Sequence, residues 1–332
     1  MARIAITGAS GLLGSNLAAE LLAGGHHVVA TRRAATNLAH LDDLKIEWRE
    51  ADLADAAALQ RAFADVEAVF HCAAAVSVRK EISAEMRATN VDGTRHVIEA
   101  VTAAKVRRLI HTSSIVAIGL SPDGTPCDEA TTWNYDDYGL SNAYAITKHE
   151  AELAVMAAVA RAAQPIDAVV VNPTYMFGPR DVRPSSGKLL LDIARRKLPG
   201  WTPGINNFSD VRDVARGMVA AWQRGRRGER YILGGHDLTY RAMMELAARA
   251  AAVQPPRFGV PYPLARVVGW WGDLVERRGG EPLLNTTQVR YAFSDRLRYS
   301  SAKAERELGY TRGPIEAAMR AALAWFRAHK ML

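Results

Sequence analysis

Cysteine is scarce in this chain. Two residues, Cys72 and Cys127, among 332 cannot build a disulfide framework, which excludes the small stapled secreted scaffolds and fits a reducing, cytoplasmic setting. Cys72 sits in an apolar strand-like segment and reads as packing. Long apolar runs are also missing. None reaches the roughly 18 residues that a membrane-spanning helix needs, so no membrane partner is expected. The chain enters the strand-like Arg3-Ile4-Ala5-Ile6 almost at once, so no signal peptide is expected. Repeats and low-complexity tracts are absent, which excludes solenoids and tails. What is present suits a globular enzyme. With 49% hydrophobic and 23% charged residues, the chain can bury one large core, or a core with a smaller cap. The net charge is +7, from 42 Lys+Arg against 35 Asp+Glu, a balance that suits anionic partners. The basic residues are scattered, however. Their densest run, Arg224 to Arg230, reads as a solvated turn, and no nucleic-acid partner is expected.

Apolar strand segments at 3–6, 27–31, 44–49, 67–72, 107–112 and 166–171 alternate with helical patterns at 12–24, 55–63, 81–104 and 142–163. Strands separated by helices of this length imply crossover connections and a parallel sheet. Runs such as Ala168-Val169-Val170-Val171 suit a sheet covered on both faces. The expected class is therefore α/β, a doubly wound parallel sheet. After Pro173, helical patterns at 187–197, 211–224, 239–252, 261–277, 286–292, 301–308 and 314–328 are interrupted by Pro- and Gly-rich stretches at 199–204, 255–263 and 279–282. Helix 211–224 and strand 230–233 extend the sheet, and the remainder reads as a smaller, mostly helical C-terminal cap. The expected division is 1–172 with about 205–235 for dinucleotide binding, and 173–204 with 236–332 for substrate.

Between the first strand and first helix lies Gly8-Ala9-Ser10-Gly11-Leu12-Leu13-Gly14. In that position the first glycine permits a tight turn and the second lets backbone approach a pyrophosphate. The third allows the helix to pack closely on the strand. Phosphates would then meet free amides at a helix N-terminus. A site built for NAD places a carboxylate at the end of the second strand to bond the ribose 2′-hydroxyl. Here the residues are Thr31-Arg32-Arg33, and two guanidiniums suit a 2′-phosphate. The expected cofactor is NADP, with NADPH preferred over NADH. Asp52 and Leu53, after the third strand, are expected against adenine. Ala73, Ala74 and Ala75, after the fourth, would let backbone crowd the cofactor.

Tyr144 and Lys148 are four residues apart on a helical pattern, so they share a face. They follow Thr112-Ser113-Ser114 at the end of the fifth strand. A tyrosine normally titrates near pH 10, and a nearby ammonium and nicotinamide cation favour the phenolate. A shift of roughly three units corresponds to about 4 kcal/mol. The expected roles are proton transfer for Tyr144, tuning and ribose binding for Lys148, and polarisation of the substrate oxygen for Ser114. No metal is expected.

These residues carry a resemblance. Thr7 to Gly14, Asn90-Val91-Asp92-Gly93-Thr94, Thr112-Ser113-Ser114, Tyr144-x-x-x-Lys148, Asn172-Pro173-Thr174, Asp210 to Ala215 and Glu307-Leu308-Gly309-Tyr310 resemble the extended short-chain dehydrogenase/reductase family, also called the NAD-dependent epimerase/dehydratase superfamily. Within it the chain is most similar to dihydroflavonol-reductase-like and hopanoid-associated epimerase-like members. The resemblance implies a Rossmann sheet and the triad Ser114, Tyr144 and Lys148. It implies cofactor contacts from Asn90, Thr112, Ser113, Pro173, Thr174 and Met176, and a homodimer through the helices at 83–104 and 142–163.

The family performs reduction, epimerisation and dehydration. Ile115-Val116 replaces the acidic pair that dehydratases carry after the catalytic hydroxyl. Asn206 stands where UDP-hexose epimerases usually carry an arginine, although Arg180, Arg183, Lys188, Arg195 or Arg196 would offer a replacement. Gly119 replaces the substrate-contacting asparagine of plant dihydroflavonol reductases. The expected activity is NADPH-dependent reduction of a ketone or aldehyde, and the alternative is a nucleotide-sugar epimerase holding its NAD(P) tightly. Ser77, Ser114, Tyr175, Trp201, Asn206 and Phe208 are expected around a carbonyl substrate. Trp270 and Trp271 are expected in the core of the cap.

Overall fold

Near-continuous apolar strands set the centre of the molecule. The computed structural model describes residues 1–280, 282 and 284–332, and the break expected at 279–282 falls partly on residue 281, outside the described residues. The first half runs β1 (Arg3–Thr7), α1 (Leu12–Ala23), β2 (His27–Arg32), β3 (Glu47–Glu50), α2 (Ala56–Ala62), β4 (Ala68–His71), α3 (Ala84–Arg87), α4 (Gly93–Ala103), β5 (Arg108–Thr112), α5 (Ala143–Val159) and β6 (Ala168–Pro173). A π-helical stretch at Ala88–Asp92 joins α3 to α4, so the single helical pattern read there contains a wider turn. The second half runs β7 (Tyr175–Phe177), α6 (Gly187–Ala194), β8 (Ile205–Asp210), α7 (Val211–Arg224), β9 (Arg230–Leu233), β10 (His236–Thr239), α8 (Tyr240–Ala251), α9 (Tyr262–Arg277), α10 (Thr286–Phe293), α11 (Ala302–Leu308) and α12 (Ile315–Ala328).

Seven parallel strands form one sheet in the order β3-β2-β1-β4-β5-β6-β9. One face is covered by α1, α7 and α11 through Leu17, Leu21, Val214, Met218 and Leu308. The other is covered by α2, α4 and α5 through Leu59, Val97, Val101 and Val155. Each such side chain contributes about 1.5–3 kcal/mol by leaving water. Both faces being occupied explains why β4 and β6 are buried at every residue and read as unbroken apolar runs. The strand order reverses between β1 and β4, which opens a crevice beyond the carboxyl ends of these strands. The fold is a doubly wound Rossmann-type α/β sheet with a largely helical C-terminal part.

A second sheet, β10-β8-β7, pairs β8 antiparallel to β10 and parallel to β7. The sequence pattern contains no strand at β8, because Ile-Asn-Asn-Phe-Ser-Asp is rich in residues depleted from strands. Tertiary partners override that preference: Asn207 Nδ2 donates to Asp237 Oδ1 at 2.6 Å, and Gly235 N donates to Asn207 Oδ1 at 2.6 Å. Residues 205–210 thus pair in the second sheet, while 211–233 pack with the first. Phe177, Phe208, Met243, Met319 and Phe326 form the core beneath the second sheet.

The expected burial of Trp270 and Trp271 is overturned. They are 60% and 57% exposed. The inward face of α9 consists of Ala265, Gly269 and Gly272, and a Cβ on Gly269 would lie 3.1 Å from Thr286 Cα. Close approach to α10 therefore selects the small residues and turns the large apolar ones outward. Among the described residues, no helix is long and apolar enough to cross a membrane, and no group of three His, Cys, Asp or Glu is placed to hold a metal ion.

Candidate active site

The turn between β1 and α1 is dictated by its glycines. Gly8 has φ +75°, and a Cβ there would lie 2.6 Å from Ala73 N. A Cβ on Gly14 would lie 2.8 Å from Ala9 Cα, so both positions require glycine. A Cβ on Gly11 would meet nothing nearer than Gly8 O at 3.5 Å. No side chain caps α1, and the amides of Leu12, Leu13 and Gly14 begin a helix without intrahelical acceptors. Open space before uncapped amides fits a dinucleotide pyrophosphate. Ser10 is half-buried, and its carbonyl meets His40 Nε2 at 3.1 Å. Arg180 bonds the His40 carbonyl and pairs with Asp43. Lys188 pairs with Asp192 at 2.6 Å. Both are thus paired with carboxylates.

Arg32 ends β2 opposite Glu50 in the strand register, and Arg33 is exposed. The ion pairs of this edge, Arg3–Glu47 and Arg49–Asp65, leave both guanidiniums out. Asp52 is exposed and accepts from Ala54 N at 2.9 Å. Leu53 lies half-buried, and its carbonyl meets His96 Nδ1 at 2.7 Å. Ala73, Ala74 and Ala75 follow β4 and are half-buried.

Asn90 joins the segment after β4 to α5. It is 2% exposed, its Oδ1 accepts from Ala75 N at 2.7 Å, and its Nδ2 donates to Ala75 O and Thr147 Oγ1. These bonds position the Ala73–Ala75 backbone against α5, with one lone pair of Oδ1 not used by them.

Ser114 follows β5 and caps a short 3-10 turn. Asn142 caps α5 by accepting from Ala145 N at 2.8 Å, which sets Tyr144 in the first turn and Lys148 one turn later. Lys148 is 3% exposed, and its Nζ donates to the Thr112 carbonyl at 2.7 Å. Thr112 Oγ1 donates to Cys72 Sγ at 3.4 Å. Ser113 is buried, and among the described residues its hydroxyl has no partner. Behind Lys148 lies a network absent from the sequence reading. Glu152, 3% exposed, accepts from Asn172 Nδ2 at 2.8 Å and pairs with Arg230 at 3.0 Å. Asn172 Nδ2 also donates to the Ser114 carbonyl at 3.0 Å. Glu152 is four residues beyond Lys148, so the helical spacing that joined Tyr144 to Lys148 also pointed to it.

The electrostatics differ from expectation in one respect. Burial raises the Tyr144 phenol above its ordinary value, and the neighbouring Ser114 hydroxyl opposes that shift. Burial lowers the Lys148 ammonium to about 8, with Glu152 and Cys72 opposing. In the free protein Lys148 is anchored to a backbone carbonyl, and the phenol is not acidified.

Of the remaining residues expected at the cofactor, Pro173 ends β6 opposite Leu233. Thr174 Oγ1 bonds Ser209 Oγ at 3.0 Å, and Met176 packs on the α1–α7 core. Ser77 Oγ accepts from Arg79 N at 3.1 Å. Tyr175 is half-buried, with its hydroxyl 3.3 Å from Ser186 O. Trp201 lies under Arg241 at 5.0 Å. Asn206 is nearly buried and donates to Tyr240 Oη at 3.3 Å. Phe208 is fully buried and stacks on Phe177 at 5.7 Å. Its expected place in the pocket is withdrawn, because it has no surface to offer a ligand.

A family model for the NAD-dependent epimerase/dehydratase family matches residues 4–234. The chain belongs to this family. "Sterol demethylase protein B" of Methylococcus capsulatus is 34% identical over 331 residues, covering 98% of this chain and 99% of that one. A Synechocystis protein with a provisional dihydroflavonol 4-reductase name is 32% identical over 330 residues, covering 98% and 94%. The crystal structure of gox2253 is 31% identical, superposes with a TM-score of 0.86, and covers 100% of both chains. Family membership makes the chain an NAD(P)-dependent enzyme of the reductase and epimerase type.

Proposed function

We propose that this family member is an NADPH-dependent reductase of a ketone or aldehyde. The convergence of Ser114, Tyr144 and Lys148 beyond β5, beside the open glycine turn, carries this reading. Bound NADPH supplies the hydride. Tyr144 gives its phenolic proton to the carbonyl oxygen, while the Ser114 hydroxyl bonds that oxygen and orients the carbonyl. Burial raises the phenol and keeps it protonated in the free protein, so the proton is in place on Tyr144 before the carbonyl is reduced. The phenolate left behind lies in the first turn of α5, where the helix dipole favours an anion. Lys148 would hold the ribose hydroxyls of the bound cofactor and place its ammonium charge near the phenolate.

The two guanidiniums at the end of β2, which pair with no carboxylate among the described residues, support NADP over NAD. Binding titrations of both cofactors test this: equal or tighter NADH binding refutes it, and Arg32→Ala with Arg33→Ala should erase the preference. A carbonyl panel with NADPH, followed at the nicotinamide absorbance, tests the reaction. The rival reading is a nucleotide-sugar epimerase, which the family also contains. It would be favoured by co-purified cofactor and no net redox change. Asn206 bonded to Tyr240 and Arg180 paired with Asp43 weigh against a diphosphate ligand. We also propose a homodimer through α4 and α5, where Leu153 is 53% exposed. Sedimentation of Leu153→Glu as a monomer would support it.

A further inference from the structure

Helix α9 presents its hydrophobic side to solvent. Leu264, Val267, Val268, Trp271 and Val275 recur at i, i+3, i+4, i+7 and i+11 and are all exposed, Val267 at 55%. Five apolar side chains on one helical stripe form a contiguous patch, unlike the scattered exposure normal for a protein surface. The helix is nonetheless anchored. Its two acidic residues face inward: Asp273 bonds Lys80 Nζ at 2.7 Å and Thr286 N at 3.0 Å, and Glu276 bonds Lys80 N at 2.7 Å and Asn285 Nδ2 at 3.1 Å. Arg266 and Arg277 are exposed on the same helix, and Arg278 is exposed at its C-cap. Arg266 lies over the Tyr262 ring at 5.9 Å, and among the described residues none of the three arginines pairs with a carboxylate. Among the described residues, the outward surface of α9 is therefore apolar and cationic, with Trp271 in the stripe, Trp270 exposed beside it and no acid on it.

From this arrangement we infer that α9 is a docking helix for an anionic membrane surface, lying in the headgroup plane without crossing the bilayer. An amphipathic helix of this kind buries its apolar stripe at the acyl boundary and places arginines against lipid phosphates. Tryptophan suits that interface because its ring is apolar and its N–H is polar. The charge pattern selects the partner: a second copy of the chain would bring the same arginines into opposition, whereas an anionic leaflet complements them. The position is consistent with this role. Asn285 Nδ2 bonds Val78 O at 2.7 Å, and Val76 and Val78 are 63% and 43% exposed. This segment continues directly from Ala73–Ala75, so the apolar face adjoins the chain that leaves the crevice. A missing membrane span is compatible with a helix that lies in the interface.

Vesicle co-sedimentation of the full chain tests the inference independently of catalysis. Binding to phosphatidylglycerol–phosphatidylcholine vesicles is expected, with weak binding to phosphatidylcholine alone and release by high salt. Val267→Asp with Trp271→Ser should weaken binding by tenfold or more (about two buried apolar side chains). Arg277→Gln and Arg278→Gln should each cost about fivefold. Trp271→Phe should retain binding, and brominated lipid should quench tryptophan emission in the wild type. Unchanged melting temperatures would show that the variants remain folded. The inference is overturned if anionic vesicles are not bound, or if Val267→Asp/Trp271→Ser binds as wild type. It is equally overturned if these substitutions abolish self-association in solution while no vesicle binding is seen.

Discussion

Helices α5 and α9 are similar in length and opposite in design. α5 buries charge: Lys148 and Glu152 are each 3% exposed, and their polar atoms are held by Thr112, Asn172 and Arg230. α9 exposes hydrophobic side chains and buries glycines. The difference shows that apolar spacing locates a helix but does not say which side faces inward. Buried polar groups need partners from other strands, which α5 finds on β5, β6 and β9. Close helix contact needs small side chains, which α9 supplies. Both inversions are costly unless function retains them.

The two helices should therefore respond oppositely to substitution. Glu152→Ala removes the partner of a largely buried arginine and should destabilise the fold by about 3–5 kcal/mol, read as a lower denaturation midpoint. A loss below about 1 kcal/mol would show the network to be dispensable. Lys148 provides a pH signature. Its ammonium titrates at about 8 in the fold against 10.5 in the free side chain. Between these values the unfolded chain binds more protons, so stability rises with pH across that window by up to about 3 kcal/mol. Lys148→Met should flatten that rise in urea titrations at successive pH values. Gly8→Ala, at φ +75° and against the Ala73 backbone, should destabilise by about 1–2 kcal/mol and weaken NADPH binding. At the other extreme, Trp271→Ser on α9 should change stability by no more than about 0.5 kcal/mol. A larger loss would mean that the exposed face carries packing after all.

Much of this organisation was legible in the residues. Strands buried on both faces are written as apolar runs, so the sheet was readable through β6 and β9. The glycine turn was readable because Gly8 and Gly14 each meet backbone where a Cβ would stand. Tyr144 and Lys148 were readable because four residues make one helical turn. Other features depend on partners distant in sequence. Strand β8 is held by Asn207 bonding Asp237 and Gly235, which no local propensity reports. Asn90 sits in a motif, and its bonds to Ala75 and Thr147 join segments 15 and 57 residues away. Phe208 looks available beside a loop, but that loop is a strand stacked on Phe177. Glu152 was visible in the spacing, although its role required Asn172 and Arg230 to be brought beside it.

Proton donation by the Tyr144 phenol is decided by turnover of Tyr144→Phe with NADPH and a carbonyl that the wild type reduces, alongside a cofactor titration of the same variant. The prediction is a fall in kcat of at least about 100-fold with NADPH affinity preserved. Turnover at the wild-type rate with cofactor still bound would contradict it.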